Sequence, residues 1–279
     1  AESDFRTAVL RFSDDTFEQI GKGMEPGAAV PDDARKLAAE LGPRVLKETG
    51  ANVSARLMVS LANAESPGVF LGQFDKGSRG RFTYLVDPQT RLPGSAFGIN
   101  GGEKVLLFAY APYVYTNDMW IATYSEENFV RNQASYSDSF DLVAPLHYDM
   151  EIDVRDARKI LRTRMRIDFQ SLVDGLQAVP MDVNEGLTEF DNVRLKEAMR
   201  VTSARHGGKD IPCIQEDWES GLTILLPKAM KKGEAFSVEV ALEGDFIDNQ
   251  DKFLNCYYPQ DNNGWYPKYG YLKRSTFNA

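Results

Sequence analysis

The sequence predicts a mainly β chain: an antiparallel β-sandwich or saddle-like domain in the second half, preceded by an α+β domain with an antiparallel sheet and one main helix. Three observations carry this. Short runs with period-two alternation, rich in β-branched and aromatic residues, recur along the chain between Gly, Pro, Asn and Asp. One segment alone, Asp32–Thr49, repeats apolar residues convincingly at helical spacing. A polar stretch, Val130–Asp141, interrupts the pattern and divides residues 1–140 from 141–279.

In the first half, Phe5–Phe12 reads as a short strand and Asp14–Gly21 as a polar helical turn, before the Gly/Pro-rich break Gly21–Pro31. The helix Asp32–Thr49 follows. Ala34, Leu37, Ala38, Leu41, Val45 and Leu46 form its apolar stripe, Asp32 and Asp33 suit its positive end, and Gly50 supplies a stop. Pro43 lies inside the pattern and predicts a kink or a split into two shorter helices. Alternation then predicts strands over Val53–Leu61, Val69–Phe74, Arg81–Val86, Lys104–Tyr110 and Met119–Tyr124.

The second half predicts strands over His147–Val154, Ile160–Ser171, Gln177–Val183, Met199–His206, Ile211–Gln215, Leu222–Leu226 and Ala235–Leu242. Short turn signals such as Gly207-Gly208 and Lys232-Gly233 separate several of them. Strands so spaced imply a sandwich or a saddle-shaped sheet. The chain closes inside what reads as another strand, so a fragment of a longer protein is expected.

Composition narrows the function. A net charge of −9 opposes phosphate backbones, and the basic stretches Arg155–Arg166 and Lys228–Lys232 are surrounded by acids, so no nucleic-acid partner is expected. The apolar runs, such as Val105–Ala111, fall well short of a bilayer span, and no export signal precedes them. His147 and His206, the two histidines, belong to no spaced ligand pair; His147 reads as a partly buried sheet residue and His206 as a turn flank. Cys213 and Cys256 could form one disulfide in an oxidising compartment or stand as separate thiols. Gly77-Ser78-Arg79-Gly80 lacks the spacing of a nucleophile elbow, and no P-loop or dinucleotide fingerprint occurs. Carboxylates are plentiful, but most fall in loops or at outward strand positions, where solvation is the default. The acidic loops Asp245–Asp251 and Asp261–Gly264 have calcium-like composition without EF-hand spacing. No catalytic residue, metal ligand or cofactor of this chain is expected.

Aromatics concentrate near the C-terminus: Tyr257, Tyr258, Trp265, Tyr266, Tyr269 and Tyr271, interrupted by Pro259, Pro267 and Gly270. Such a loop can form a sugar-stacking platform or an interface anchor, or cover the open end of a sandwich. Packing is the preferred reading. A glycan- or protein-binding β module using Trp265 and Tyr266 is the alternative.

The run Leu146–Val154 resembles the opening strand of the N-terminal β-domain of zinc aminopeptidases related to aminopeptidase N and leukotriene hydrolase. Arg162–Phe169, Gly221–Leu226 with Pro227, and Lys232-Gly233-Glu234 are similar to the segments that follow it there. Leu242-Glu243-Gly244 departs from the family, which carries Tyr-x-Gly at that step. Gly264-Trp265-Tyr266-Pro267-Lys268, Tyr269-Gly270-Tyr271 and Ser275-Thr276-Phe277 resemble a secreted bacterial branch, and Ala8–Phe12 is similar to an N-terminal extension found in it. The resemblance covers about the last half of the chain. It implies a non-catalytic N-terminal region whose parent is a zinc metallopeptidase removing N-terminal residues from peptides. Its zinc would be held by H-E-x-x-H and a downstream Glu beyond Ala279, with the motif's Glu as general base. The implied partners are that downstream catalytic domain and the parent's peptide substrate, and the implied location is periplasmic or secreted. Trp265, Tyr266 and Tyr269 become candidates for the cleft wall or domain interface.

Overall fold

The computed structural model describes residues 4–25, 27, 29–47, 53–66, 68–78, 80–88, 105–109, 118–123, 141–155, 160–183, 199–219, 221–244, 247–248, 258–259 and 265–269. The chain is mainly β, with antiparallel sheets and an α+β first part. It divides into two compact units, Ala1–Leu57 with Glu65–Phe140, and Met58–Ala64 with Asp141–Ala279.

The first unit opens with strand β1 (Thr7–Phe12) and helices α1 (Thr16–Gly21) and α2 (Asp32–Leu46). Strands β2 (Phe70–Gly77), β3 (Gly80–Val86), β4 (Val105–Ala109) and β5 (Asp118–Thr123) complete it. They form a five-stranded antiparallel sheet in the order β1-β2-β3-β4-β5. Its buried cluster joins Val53, Val69, Leu71, Leu85, Leu106 and Phe108. The helix α2 runs through Pro43 without a split, and the Lys47 N–H reaches the Pro43 carbonyl at 2.9 Å.

One strand expectation is overturned. Val53–Leu61 lies within a third helix, α3 (Val53–Ala62), which the domain division cuts after Leu57. Alternation of Val53, Ala55, Leu57, Val59 and Leu61 mimics a strand, but the buried positions are Val53, Ala55, Arg56, Val59, Ser60 and Asn63, a helical interval. Leu61, which a strand face would have buried, is 80% exposed.

The second unit contains β6 (Val143–Asp153), β7 (Leu161–Ser171), β8 (Leu176–Asp182), β9 (Met199–His206) and β10 (Lys209–Asp210). After them come β11 (Cys213–Ile214), β12 (Gly221–Met230), β13 (Ala235–Gly244), β14 (Ile247–Asp248) and β15 (Tyr258–Pro259). One sheet runs β10-β9-β13-β7-β6, a second β11-β12-β8, and β14 pairs with β15. The predicted strand Ile211–Gln215 shrinks to the two residues of β11.

Strand β7 shows why this half folds as it does. Leu161, Thr163, Met165, Ile167 and Phe169 point to one face and are buried, while Arg162, Arg164, Arg166 and Asp168 point to the other. Phe236, Val238, Val240 and Leu242 of β13 and Leu222, Ile224 and Leu226 of β12 join the same core. Fully burying an aliphatic side chain of this size contributes about 1.5–3 kcal/mol. The turn between β12 and β13 passes through Gly233 at φ 82°, a left-handed conformation that favours glycine.

Candidate interface site at the Trp265–Tyr269 segment

Strand β8 borders β12 on one side, which leaves its other edge to be closed by groups outside the sheet ladder. Two devices close it. At one end, the Asn63 side chain accepts the Gln177 and Ala178 N–H groups, each at 2.7 Å, and donates to the Ala178 carbonyl at 3.0 Å. At the other end, Lys268 forms an isolated antiparallel bridge with Asp182, with reciprocal backbone bonds of 2.7 and 2.8 Å. Pro267 precedes that bridge with a fixed φ and no N–H, so the segment enters it pre-shaped.

The aromatics on this segment separate into two environments. Tyr266 and Tyr269 belong to the buried core, at 8% and 6% exposure, whereas Trp265 is only partly buried. The Tyr266 ring meets Tyr148 edge to face at 6.2 Å, and Trp265 meets Tyr266 at 4.9 Å. Lys268 Nζ lies 4.9 Å from the Tyr266 ring centroid. The Tyr269 hydroxyl oxygen accepts the Leu142 N–H at 2.7 Å. Of the wider cluster, Tyr257 and Tyr271 lie outside the described residues, and Tyr258 falls in β15.

Burial governs ionisation here. It raises the Tyr148 and Tyr266 phenols, and so holds both rings protonated. It also pushes the Asp182 carboxyl up to about 7, with the Lys268 ammonium opposing the shift. The segment therefore offers an aromatic edge at Trp265, locked phenols and one carboxyl titrating near neutrality.

A second cluster was not foreseen from sequence. His147, Asp168 and Ser237 stand in register on adjacent strands β6, β7 and β13. Their order is wrong for nucleophilic catalysis, which needs the imidazole between the hydroxyl and the acid. Here Ser237 Oγ donates directly to Asp168 Oδ1 at 2.6 Å, and Arg166 Nε holds the same oxygen at 3.0 Å. The Ser237 hydrogen bond, followed by Arg166, keeps the Asp168 carboxyl below its ordinary value, so it is a poor base for the hydroxyl. His147 is exposed, a correction to the partly buried position expected. His206 does flank the Gly207-Gly208 turn, with Nδ1 2.9 Å from the Ser237 carbonyl oxygen.

Among the described residues, no group of three or more His, Cys, Asp or Glu side chains is placed to hold a metal ion. Cys213 is a free, partly buried thiol that burial pushes up to about 12; Cys256 lies outside the described residues. So does Asp261–Gly264, together with Asp245–Asp251 apart from residues 247–248. No described helix is long and apolar enough to cross a membrane.

These features define a β-rich unit with a self-closing aromatic segment. No protein-family model matches the chain, and no curated protein matches it. Among solved structures it is similar to an M1 zinc metallopeptidase from Deinococcus radiodurans, at 17% identity and a TM-score of 0.29, over 37% of this chain and 20% of that one. It is also similar to yeast LTA4 hydrolase in complex with bestatin, at 13% identity and a TM-score of 0.29, over 42% of this chain and 18% of that one. The chain thus spans about a fifth of the length of these structures.

Proposed function

We propose that this chain is the non-catalytic N-terminal region of a zinc-dependent aminopeptidase, which packs on a downstream catalytic domain and helps wall its peptide cleft. In this reading the zinc and the reacting groups belong to the downstream domain. Trp265, Tyr266 and Tyr269 line the interface or cleft, with Trp265 as the contacting edge and the two tyrosines as its support. Secretion or a periplasmic location accompanies the reading through the resemblance of the Trp265 region.

The observation that carries it is the placement of the segments that resemble the family. Leu146–Val154, Arg162–Phe169 and Gly221–Leu226 fall on β6, β7 and β12, and Lys232-Gly233-Glu234 falls in the β12–β13 turn. All lie within the second unit. In that turn the Glu234 carboxylate accepts the Lys231 N–H at 2.9 Å and pairs with Lys228 Nζ at 3.2 Å, which gives the Gly-Glu step a structural role.

The test is a paired assay of the 279-residue chain and of the longest product of the reading frame that contains it, both on aminoacyl p-nitroanilides. The chain alone is expected to be inactive, and the longer product to be active and sensitive to chelator. Chelator-sensitive hydrolysis by the shorter chain, or a longer product that binds no zinc, would overturn the proposal.

A further inference from the structure

The outer face of the second unit's larger sheet carries charge in rows that alternate in sign from strand to strand. The longest row reads Asp149, Arg166, Glu239, Arg205, Asp210 across β6, β7, β13, β9 and β10. A parallel row reads Asp153, Arg162, Glu243, Arg200, and between them Glu151 stands opposite Arg164. Opposite charges in register on neighbouring strands stabilise the pairing, and like charges weaken it.

The row ends on an acid at β6, which is an edge strand among the described residues. It is eleven residues long, and among the described residues it pairs with β7 alone. Among the described residues, Asp149 and Glu151 therefore have a cationic strand in register on one side only. The opposite face of the same edge is apolar and increasingly bare: Tyr148 is buried, whereas Ile152 and Val154 are 43% and 53% exposed. A long edge with exposed apolar residues is a template for one more strand.

We infer that β6 accepts an extended segment of another protein in which Lys or Arg alternates with apolar residues. The basic residues continue the alternation beside Asp149 and Glu151, and the apolar ones cover Ile152 and Val154. A second copy of this chain is the wrong occupant, because two β6 edges would set acids against acids. This inference does not depend on the aminopeptidase reading.

The experiment measures binding of fluorescein-labelled ten-residue peptides to the 279-residue chain by anisotropy in physiological salt. One peptide alternates Lys with Val, one alternates Glu with Val, and one blocks the same Lys and Val into two halves. The alternating Lys peptide should bind about tenfold or more tightly than either other peptide, as two or three in-register charge pairs would give. The doubly substituted Asp149→Lys, Glu151→Lys chain should reverse the preference toward the Glu peptide. Hydrogen exchange should show new protection in β6. Equal binding of the blocked and alternating Lys peptides would reduce the effect to net charge and overturn the inference. Absence of binding would overturn it too, leaving the acids as guards against edge association. A concentration-dependent dimer blocked by the same double substitution would overturn it in favour of a second copy. Binding by the 279-residue chain but not by the longer reading-frame product would overturn it in favour of a downstream segment of the same polypeptide.

Discussion

Asn63 pairs with Ala178 through both ends of its amide: Oδ1 takes the Ala178 N–H at 2.7 Å, and Nδ2 gives a hydrogen bond to the Ala178 carbonyl at 3.0 Å. A single side chain at the end of a helix thereby serves as one residue of a neighbouring strand. Both partners are buried, so water is a poor substitute. Asn63→Ala is expected to cost about 2–4 kcal/mol, from backbone groups left without partners. Asn63→Asp keeps the acceptor but loses the donor and introduces a charge, and should be no better. Urea unfolding followed by circular dichroism measures both; a loss near zero would show that the edge of β8 needs no such cap.

Tyr269 tests the other closure through one atom. Tyr269→Phe retains the buried ring and removes the oxygen that accepts the Leu142 N–H. A loss of about 1–3 kcal/mol is expected, against a far smaller change for removing an exposed hydroxyl. Faster exchange of the Leu142 amide in the variant would locate the effect.

Asp182 gives the closure a pH dependence. Its folded-state pKa of about 7 lies above its ordinary value of 3.8, because burial disfavours the charged form and Lys268 only partly offsets this. The stability it contributes is present in full below about pH 4 and is lost as pH rises toward 7. Urea midpoints should therefore fall across that window, as stability drops by up to about 1.4 kcal/mol with each step of one in pH. Asp182→Asn should remove this component and stabilise the chain at pH 8. An unchanged pH profile in the variant would assign the dependence to other groups.

Trp265 and Tyr266 should respond differently to truncation. Tyr266→Ala removes a buried aromatic ring and is expected to cost about 3 kcal/mol or more. Trp265→Ala removes a partly exposed one, and should leave the 279-residue chain folded with a loss near 1 kcal/mol while lowering the activity of the longer product. If Trp265→Ala instead abolished affinity for a polysaccharide and left activity intact, the glycan-binding alternative would be preferred.

Much of the fold was legible because side-chain direction in a strand follows position. The alternation in Leu161–Ser171 marks which residues face the core, and the same rule reads β13. The helix α2 was legible from its longer apolar stripe. Val53–Ala62 was not, since over ten residues its spacing satisfies both periods, and burial in three dimensions decides between them.

The sequence by itself determined the strand-rich character of this protein, the inward faces of its strands and the scarcity of imidazoles and thiols, because each follows from local spacing or from counting. Tertiary structure alone decided that Asn63 closes β8 at a residue 115 positions away, that Lys268 bridges Asp182, and that Tyr266 and Tyr269 turn inward while Trp265 stays at the edge. The reason is physical: a hydrogen-bonding edge or a buried carboxyl exists only after strands distant along the chain have come together, and no local pattern encodes which distant group will meet it.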